Sequence, residues 1–255
     1  MLRALLAASC LTVLAACAQQ APREPRTEVD ANEVERRASM RIELAGGYLA
    51  RGQYNVALDE VKQALALRPD SREGLNLRAL ILAAMGEGGA ADEAFRRILT
   101  LYPNDPDTLH NMAWTACQQR QWDLAVSRFD DALKQPNYRA PARSWLAKGV
   151  CELRAERLED GERSLMRAFE LDPANPNTSF ALADLLLRTR QLERARFYAA
   201  RVNGAAANAQ SLWLAARIEQ RLGNRPGVIE WGQRLVREFP SSAEAQLYRD
   251  GRFES

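Results

Sequence analysis

The sequence predicts an all-α protein made of about six repeated helical hairpins that stack side by side. The first observation is a series of small residues at a nearly constant interval. Ala57, Ala91 and Ala125 are spaced by 34 residues, and the series continues with Gly161 after 36, Ala195 after 34 and Val228 after 33. A fixed period of this length is typical of repeat proteins, in which each unit packs only against its neighbours.

Two further series have the same period and the same irregularities. The second series consists of Phe95, Phe129, Leu165, Ala199 and Gly232, spaced by 34, 36, 34 and 33 residues. The third consists of prolines: Pro69 and Pro103 are 34 apart, and Pro173 and Pro240 follow after 70 and 67. All three series place a small insertion near residues 135–139 and a deletion near 204–208, which indicates one common repeat.

A period of 34 residues with A-x3-F and a following proline resembles the tetratricopeptide repeat (TPR). Ala91 with Phe95 and Ala125 with Phe129 match that motif, as does Ala57 with Val61 in a weaker form. The resemblance implies two helices per repeat, A and B, in a right-handed superhelix. The small residue of helix B lets helix A approach closely, the aromatic residue fills the gap to the next repeat, and proline ends helix B.

These matches divide the chain into segments. The predicted array covers residues 37–242, with repeats at 38–71, 72–105, 106–139, 142–175, 176–208 and 209–242, and residues 243–255 are expected to form a C-terminal cap and tail. Repeats five and six depart from the motif, because Ala199 and Gly232 occupy the position of the aromatic residue.

The N-terminus has the pattern of a bacterial lipoprotein signal peptide. Arg3 supplies one positive charge, and residues Ala4 to Ala16 are nearly all small or apolar, a run too short to span a bilayer as a permanent helix. The run ends in Leu14-Ala15-Ala16-Cys17, which resembles the lipobox of bacterial lipoproteins. This resemblance implies a signal peptide at 1–16 and a lipidated Cys17.

The segment after the lipobox is expected to be a flexible tether over residues 17–36. It begins as a polar stretch with Pro22 and Pro25 and lacks apolar periodicity. By analogy with lipoprotein sorting, Ala18 in place of aspartate favours the outer membrane, with the protein facing the periplasm. An acylated cysteine would be the anchor.

Composition and motifs point away from catalysis and from nucleic acid. The formal net charge is only +2, so the chain has no overall electrostatic reason to bind phosphates. The sequence has one histidine, His110, and no cysteine or histidine cluster with metal-ligand spacing. It has no phosphate-binding P-loop and no nucleophile elbow. We therefore expect no enzyme activity, no cofactor, no metal and no small-molecule substrate.

The two remaining cysteines, Cys117 and Cys151, fall on the first helices of neighbouring repeats. Neighbouring A helices pack side by side, so a disulfide is possible in an oxidising periplasm. A bridge that closes a loop of about 34 residues would contribute roughly 3–4 kcal/mol. The alternative is a pair of buried free thiols that act as small hydrophobic side chains.

The TPR resemblance also implies that helix A lines the concave surface, where a partner would bind. The residues at the inward positions are Asn76, Leu80, His110, Asn111, Trp114, Arg143, Leu146, Val150, Phe180, Asp184, Trp213 and Arg217. Aromatic residues with amides and arginines are typical of interface hot spots. The alternative is that the aromatic residues only fill gaps between helices and that His110 has a structural role.

The combination of lipobox, short tether and six repeats with an insertion after the third is similar to the type IV pilus biogenesis/stability lipoprotein family (PilW/PilF), the pilotins of the pilus secretin. Short strings at 48–52, 102–105, 109–113 and 183–186 support the similarity. It implies a lipid-anchored scaffold that helps the secretin subunit reach or assemble in the outer membrane. The alternatives are an adaptor for a periplasmic protease or peptidoglycan hydrolase, and a subunit of the β-barrel assembly machinery.

Overall fold

The computed structural model describes residues 28–253, which form thirteen α-helices and no β-strand. The helices are α1 Glu28–Ala50, α2 Tyr54–Leu67, α3 Arg72–Ala84, α4 Gly88–Leu101, α5 Pro106–Gln118, α6 Trp122–Leu133, α7 Pro141–Arg154, α8 Leu158–Leu171, α9 Pro176–Arg188, α10 Leu192–Ala205, α11 Ala209–Arg221, α12 Arg225–Glu238 and α13 Ala243–Arg249. The predicted signal peptide, Cys17 and tether residues 18–27 lie outside the described residues. Within the described range, no helix has the length and hydrophobicity needed to cross a bilayer.

The first twelve helices form six consecutive hairpins. In each hairpin the odd-numbered helix packs against the even-numbered helix that follows it, and that second helix packs against the first helix of the next hairpin. The odd-numbered helices also contact one another along the stack: each of α1, α3, α5, α7 and α9 touches the next odd-numbered helix. This arrangement confirms the predicted all-α TPR fold.

Helix α1 begins earlier than the sequence indicated. It starts at Glu28, so the prediction of a flexible tether as far as residue 36 is wrong for residues 28–36. Between Pro25 and Gly46 the sequence contains no proline or glycine, so the helix can extend outward from its packed part. That packed part begins near Ala38, which is buried, and Arg68, the residue that follows α2, forms an ion pair with Glu35.

Small residues mark the point where the two helices of every hairpin cross. Each first helix carries one, and each second helix carries another twelve positions later. The pairs are Ala45 with Ala57, Ala79 with Ala91, Ala113 with Ala125, Gly149 with Gly161, Ala183 with Ala195, and Ala216 with Val228, and all twelve residues are buried. In the fourth hairpin, a Cβ atom on Gly161 would lie 2.5 Å from Leu153 Cδ2, so an alanine there would require the Leu153 side chain to shift.

Bulky residues fill the space between hairpins. Phe95 and Phe129 have no solvent exposure, and Leu165 occupies the same position in the fourth hairpin. In the sixth hairpin, Gly232 leaves this position empty, and the ring of Tyr248 from α13 occupies the space where a side chain would lie. The short last helix therefore supplies the aromatic group that the sixth repeat lacks.

The turn within each hairpin has one residue in the left-handed conformation, which satisfies the carbonyl groups at the end of the first helix. These residues are Gly52, Gly86, Arg120, Glu156, Arg190 and Gly223, with φ between 60° and 84°. These six residues are spaced by 34, 34, 36, 34 and 33 residues, as are the small residues that begin with Ala57. In the turns between hairpins, a side chain caps the start of α3, α5, α9 and α11, whereas α7 begins at Pro141 without such a cap. For example, the Asp105 carboxylate accepts a hydrogen bond of 2.9 Å from the Thr108 amide at the start of α5.

Cys117 of α5 and Cys151 of α7 meet at the interface between the third and fourth hairpins. Both side chains are buried, and their Cα atoms are 5.8 Å apart, within the range that a disulfide spans. The contact is possible because first helices of neighbouring hairpins lie side by side.

Candidate partner-binding groove

An open groove of about 660 Å³ lies across α5, α7 and α9, the first helices of hairpins three to five. Its lining residues are His110, Trp114, Arg143, Leu146, Ala147, Val150, Leu153, Arg154, Asn177, Phe180, Ala181, Asp184 and Arg188. Seven of the twelve residues that the sequence placed on the inner wall line this groove: His110, Trp114, Arg143, Leu146, Val150, Phe180 and Asp184.

The floor of the groove is apolar. Leu146, Ala147 and Val150 lie on one face of α7, and Phe180 and Ala181 face them from α9. All five side chains are only partly buried, although each helix buries its opposite face in the stack. The fold therefore leaves apolar surface on these helices available for another molecule.

Trp114, which is in contact with Arg154, forms one side of the groove. The guanidinium carbon of Arg154 lies 5.2 Å from the centre of the Trp114 ring, a cation–π distance. This contact positions the Trp114 ring, which belongs to α5, against α7. The half-buried ring therefore presents a flat surface to the groove.

His110 lies at the end of the groove near the helix N-termini, but its ring is almost completely buried. Its Nδ1 atom is 2.7 Å from Ser144 Oγ, which in turn is 2.6 Å from the Tyr138 hydroxyl. The edge of the ring packs against Phe129. Burial, together with the nearby charge of Arg143, lowers the pKa of His110 to about 3, so the ring is neutral at pH 7. These contacts favour a structural role for His110 over a role in partner binding.

Asn76 and Asn111 belong to a buried ladder that joins three hairpins. The Asn76 amide donates to Thr108 Oγ1 at 2.8 Å, and the Asn111 amide donates to Asn76 Oδ1 at 3.1 Å. Arg143 extends the ladder by donating to Asn111 Oδ1 at 3.3 Å. These two amides therefore stabilise the stack of α3, α5 and α7 and do not line the groove, in contrast to the sequence prediction.

Three other predicted inner-wall residues lie outside the groove. Leu80 packs against the hydrophobic cluster of the second hairpin, and Arg217 is half-buried on α11. Trp213 is only 6% exposed, and its ring stacks on Phe253 with the ring centroids 5.1 Å apart. The prediction of an open Trp213 is wrong because the C-terminal residues of the chain cover it.

The sequence prediction missed the arginines at the far end of the groove. Arg154 and Arg188 lie in the last turns of α7 and α9 and are exposed. Each follows a groove residue by four positions, Val150 and Asp184 respectively, and this spacing places them on the same helix face. Among residues 28–253 there is also no group of three or more histidine, cysteine or acidic side chains arranged to hold a metal ion.

We expect His110 to make folding sensitive to acid. Its folded-state pKa lies below its unfolded value of about 6.5, so its contribution to stability is fully present above pH 6.5 and is lost as the pH falls towards 3. Between pH 7 and pH 5 the wild type should lose about 2 kcal/mol more unfolding free energy than His110→Gln. Urea unfolding of both proteins at several pH values measures this difference. Identical pH dependence of the two proteins would contradict the assignment.

Comparison with known proteins agrees with this architecture. The tetratricopeptide repeat family matches residues 42–106 and 110–176. Type IV pilus assembly protein PilF of Pseudomonas aeruginosa is 26% identical over 209 residues, which cover 82% of this chain and 83% of the relative. The crystal structure of PilW, described as a widely conserved type IV pilus biogenesis factor, superposes with a TM-score of 0.70 and 26% identity over 82% of this chain and 96% of PilW.

A structure of Pseudomonas aeruginosa PilF shows the same fold, with a TM-score of 0.69 and 24% identity over 86% of this chain and all of the solved chain. The similarity to the type IV pilus biogenesis proteins that the sequence indicated is thus confirmed in both sequence and structure. With its matched repeats spanning half of its length, the chain belongs to the tetratricopeptide repeat family.

Proposed function

We propose that this protein is an outer-membrane-anchored scaffold, a pilotin, that binds the secretin subunit of the type IV pilus and promotes its localisation and multimerisation. The observation that carries this proposal is the groove across α5, α7 and α9, whose apolar floor the fold itself does not cover. The similarity to PilF over 82% of the chain supports a role in pilus assembly.

The proposed mechanism is binding alone, without catalysis. An extended or helical segment of the partner lies in the groove and covers Leu146, Val150 and Phe180. A lipid on Cys17, inferred from the lipobox, holds the scaffold at the inner face of the outer membrane. Tethering raises the local concentration of captured subunits where they must assemble, which promotes multimerisation without any additional contact.

Gene deletion tests the function directly. A deletion strain should lack surface pili and twitching motility, and its secretin should be monomeric or misplaced, as measured by electron microscopy and by gel analysis of outer-membrane fractions. The wild-type gene should restore multimers, but Leu146→Glu should not, because a carboxylate would replace part of the apolar floor.

The matched control is Leu124→Glu, at a residue that is 39% exposed on the second helix of the third hairpin and lies outside the groove. This variant should restore multimers fully, and circular dichroism should show that both variants are folded. Normal secretin multimers in the deletion strain would contradict the proposal. Recovery of hydrolases in place of secretin by cross-linked pull-down would favour the adaptor function instead.

We also propose that Cys117 and Cys151 form a disulfide in the mature protein, because their positions permit it and the periplasm is oxidising. The bridge closes a loop across a separation of 34 residues, so its reduction should lower the free energy of unfolding by about 3–4 kcal/mol. Urea unfolding with and without reductant measures the change. The Cys117→Ala/Cys151→Ala double variant serves as the control and should not respond to reductant. A wild type that is equally stable under both conditions would exclude the bridge.

A further inference from the structure

We propose that the groove selects an acidic amphipathic segment, with apolar side chains in its middle and carboxylates at both of its ends. This inference rests on the proposed function, since it specifies the chemistry of the partner segment. It follows from the distribution of charge around the apolar floor.

Arginines lie at both ends of the groove. Arg143 is in the first turn of α7 and Arg154 is in its last turn. The two are eleven residues apart, or about 16 Å at the rise of an α-helix. Arg188, in the last turn of α9, lies at the same end as Arg154, because first helices of successive hairpins run in the same direction. The apolar floor therefore lies between cationic ends.

The groove has a net positive charge at neutral pH. Its lining contains three arginines and one aspartate, and His110 is uncharged, which gives 3 − 1 = +2. Planar guanidinium groups recognise carboxylates through paired hydrogen bonds. A segment with acidic residues flanking its apolar part would therefore complement both the floor and the ends of the groove.

The arginines at the far end are available for such contacts. Within residues 28–253, neither Arg154 nor Arg188 forms an ion pair, and the Arg154 guanidinium lies over the Trp114 ring. At the other end, Arg143 donates to Asn111 Oδ1 and forms a long ion pair of 3.8 Å with Asp107, but its side chain is still 54% exposed. A ligand carboxylate could approach all three guanidinium groups from the groove.

Asp184 restricts where the carboxylates of the segment can lie. It lines the groove one helical turn before Arg188 and forms no ion pair within the described chain. The Asp184 carboxylate would repel a second carboxylate placed over the floor. It would accept a hydrogen bond from an amide, hydroxyl or ammonium group. The groove therefore favours acidic residues at the ends of the segment and disfavours them in its middle.

Photo-crosslinking in living cells tests the inference with the full-length, membrane-anchored protein. A photoreactive phenylalanine analogue replaces Leu146 or Val150 on the floor, and mass spectrometry identifies the cross-linked peptide. The same group at Leu124, outside the groove, is the control. We expect capture from the floor positions of a segment whose apolar residues have aspartate or glutamate on both sides. A captured segment without acidic residues, or captured lipid, would overturn the inference.

Charge reversal measures the contribution of the arginines. Arg154→Glu combined with Arg188→Glu should reduce the cross-linking yield on the order of tenfold. The double lysine variant should retain most of the yield because lysine keeps the positive charge, and should lose the remainder because lysine cannot form the paired hydrogen bonds of a guanidinium group. The matched control is Arg97→Glu, an exposed arginine on a second helix. Lysine in place of the acidic residues of the captured segment should restore cross-linking to the double glutamate variant. An unchanged yield in that variant would contradict the inference.

The outcomes separate this inference from the proposed function. A secretin segment without flanking carboxylates would leave the pilotin function intact and refute the acidic specificity. An acidic segment from a protein unrelated to pili would support the specificity and refute the pilotin function. If neither floor position captures a protein while the deletion strain still loses its pili, the groove is not the binding site.

Discussion

The close approach of two helices at each small-residue crossing is the constraint on which the rest of the structure depends. Small residues at both positions, such as Ala113 with Ala125, are completely buried and allow the two helices of a hairpin to pack closely. Each hairpin is then thin and has an apolar side that the following element of the chain covers: the next hairpin or, after the sixth hairpin, helix α13. The stack follows from this requirement, and bulky residues such as Phe129 seal each junction.

The same constraint leaves one face of α7 and of α9 partly uncovered. On α7, Gly149 contacts the second helix and Cys151 contacts the neighbouring first helix. Leu146 and Val150 lie on the remaining face, where no part of the described chain covers them completely. The groove is thus formed by the helix faces that the stack does not use, and its chemistry can vary without loss of the fold.

The sequence predicted the helices and the repeat because small residues, bulky residues and prolines recur at one period. It could not predict contacts that depend on the ends of the array or on the backbone. Phe253 covers Trp213, and Tyr248 fills the space at Gly232, because α13 and not a further hairpin packs against the sixth hairpin. The left-handed backbone conformation at Arg120 could not be predicted, because this position has no glycine to indicate it. Burial, which no local pattern encodes, keeps His110 neutral.

The central claim is that a partner binds to the wall of first helices and not to the outer helices. Amide hydrogen exchange of the full-length protein, purified in detergent alone and in complex with the proposed secretin partner, tests this most directly. The account predicts that complex formation slows exchange in peptides from α5, α7 and α9 and leaves α6, α8 and α10 unchanged. Slower exchange confined to α6, α8 and α10 would contradict it.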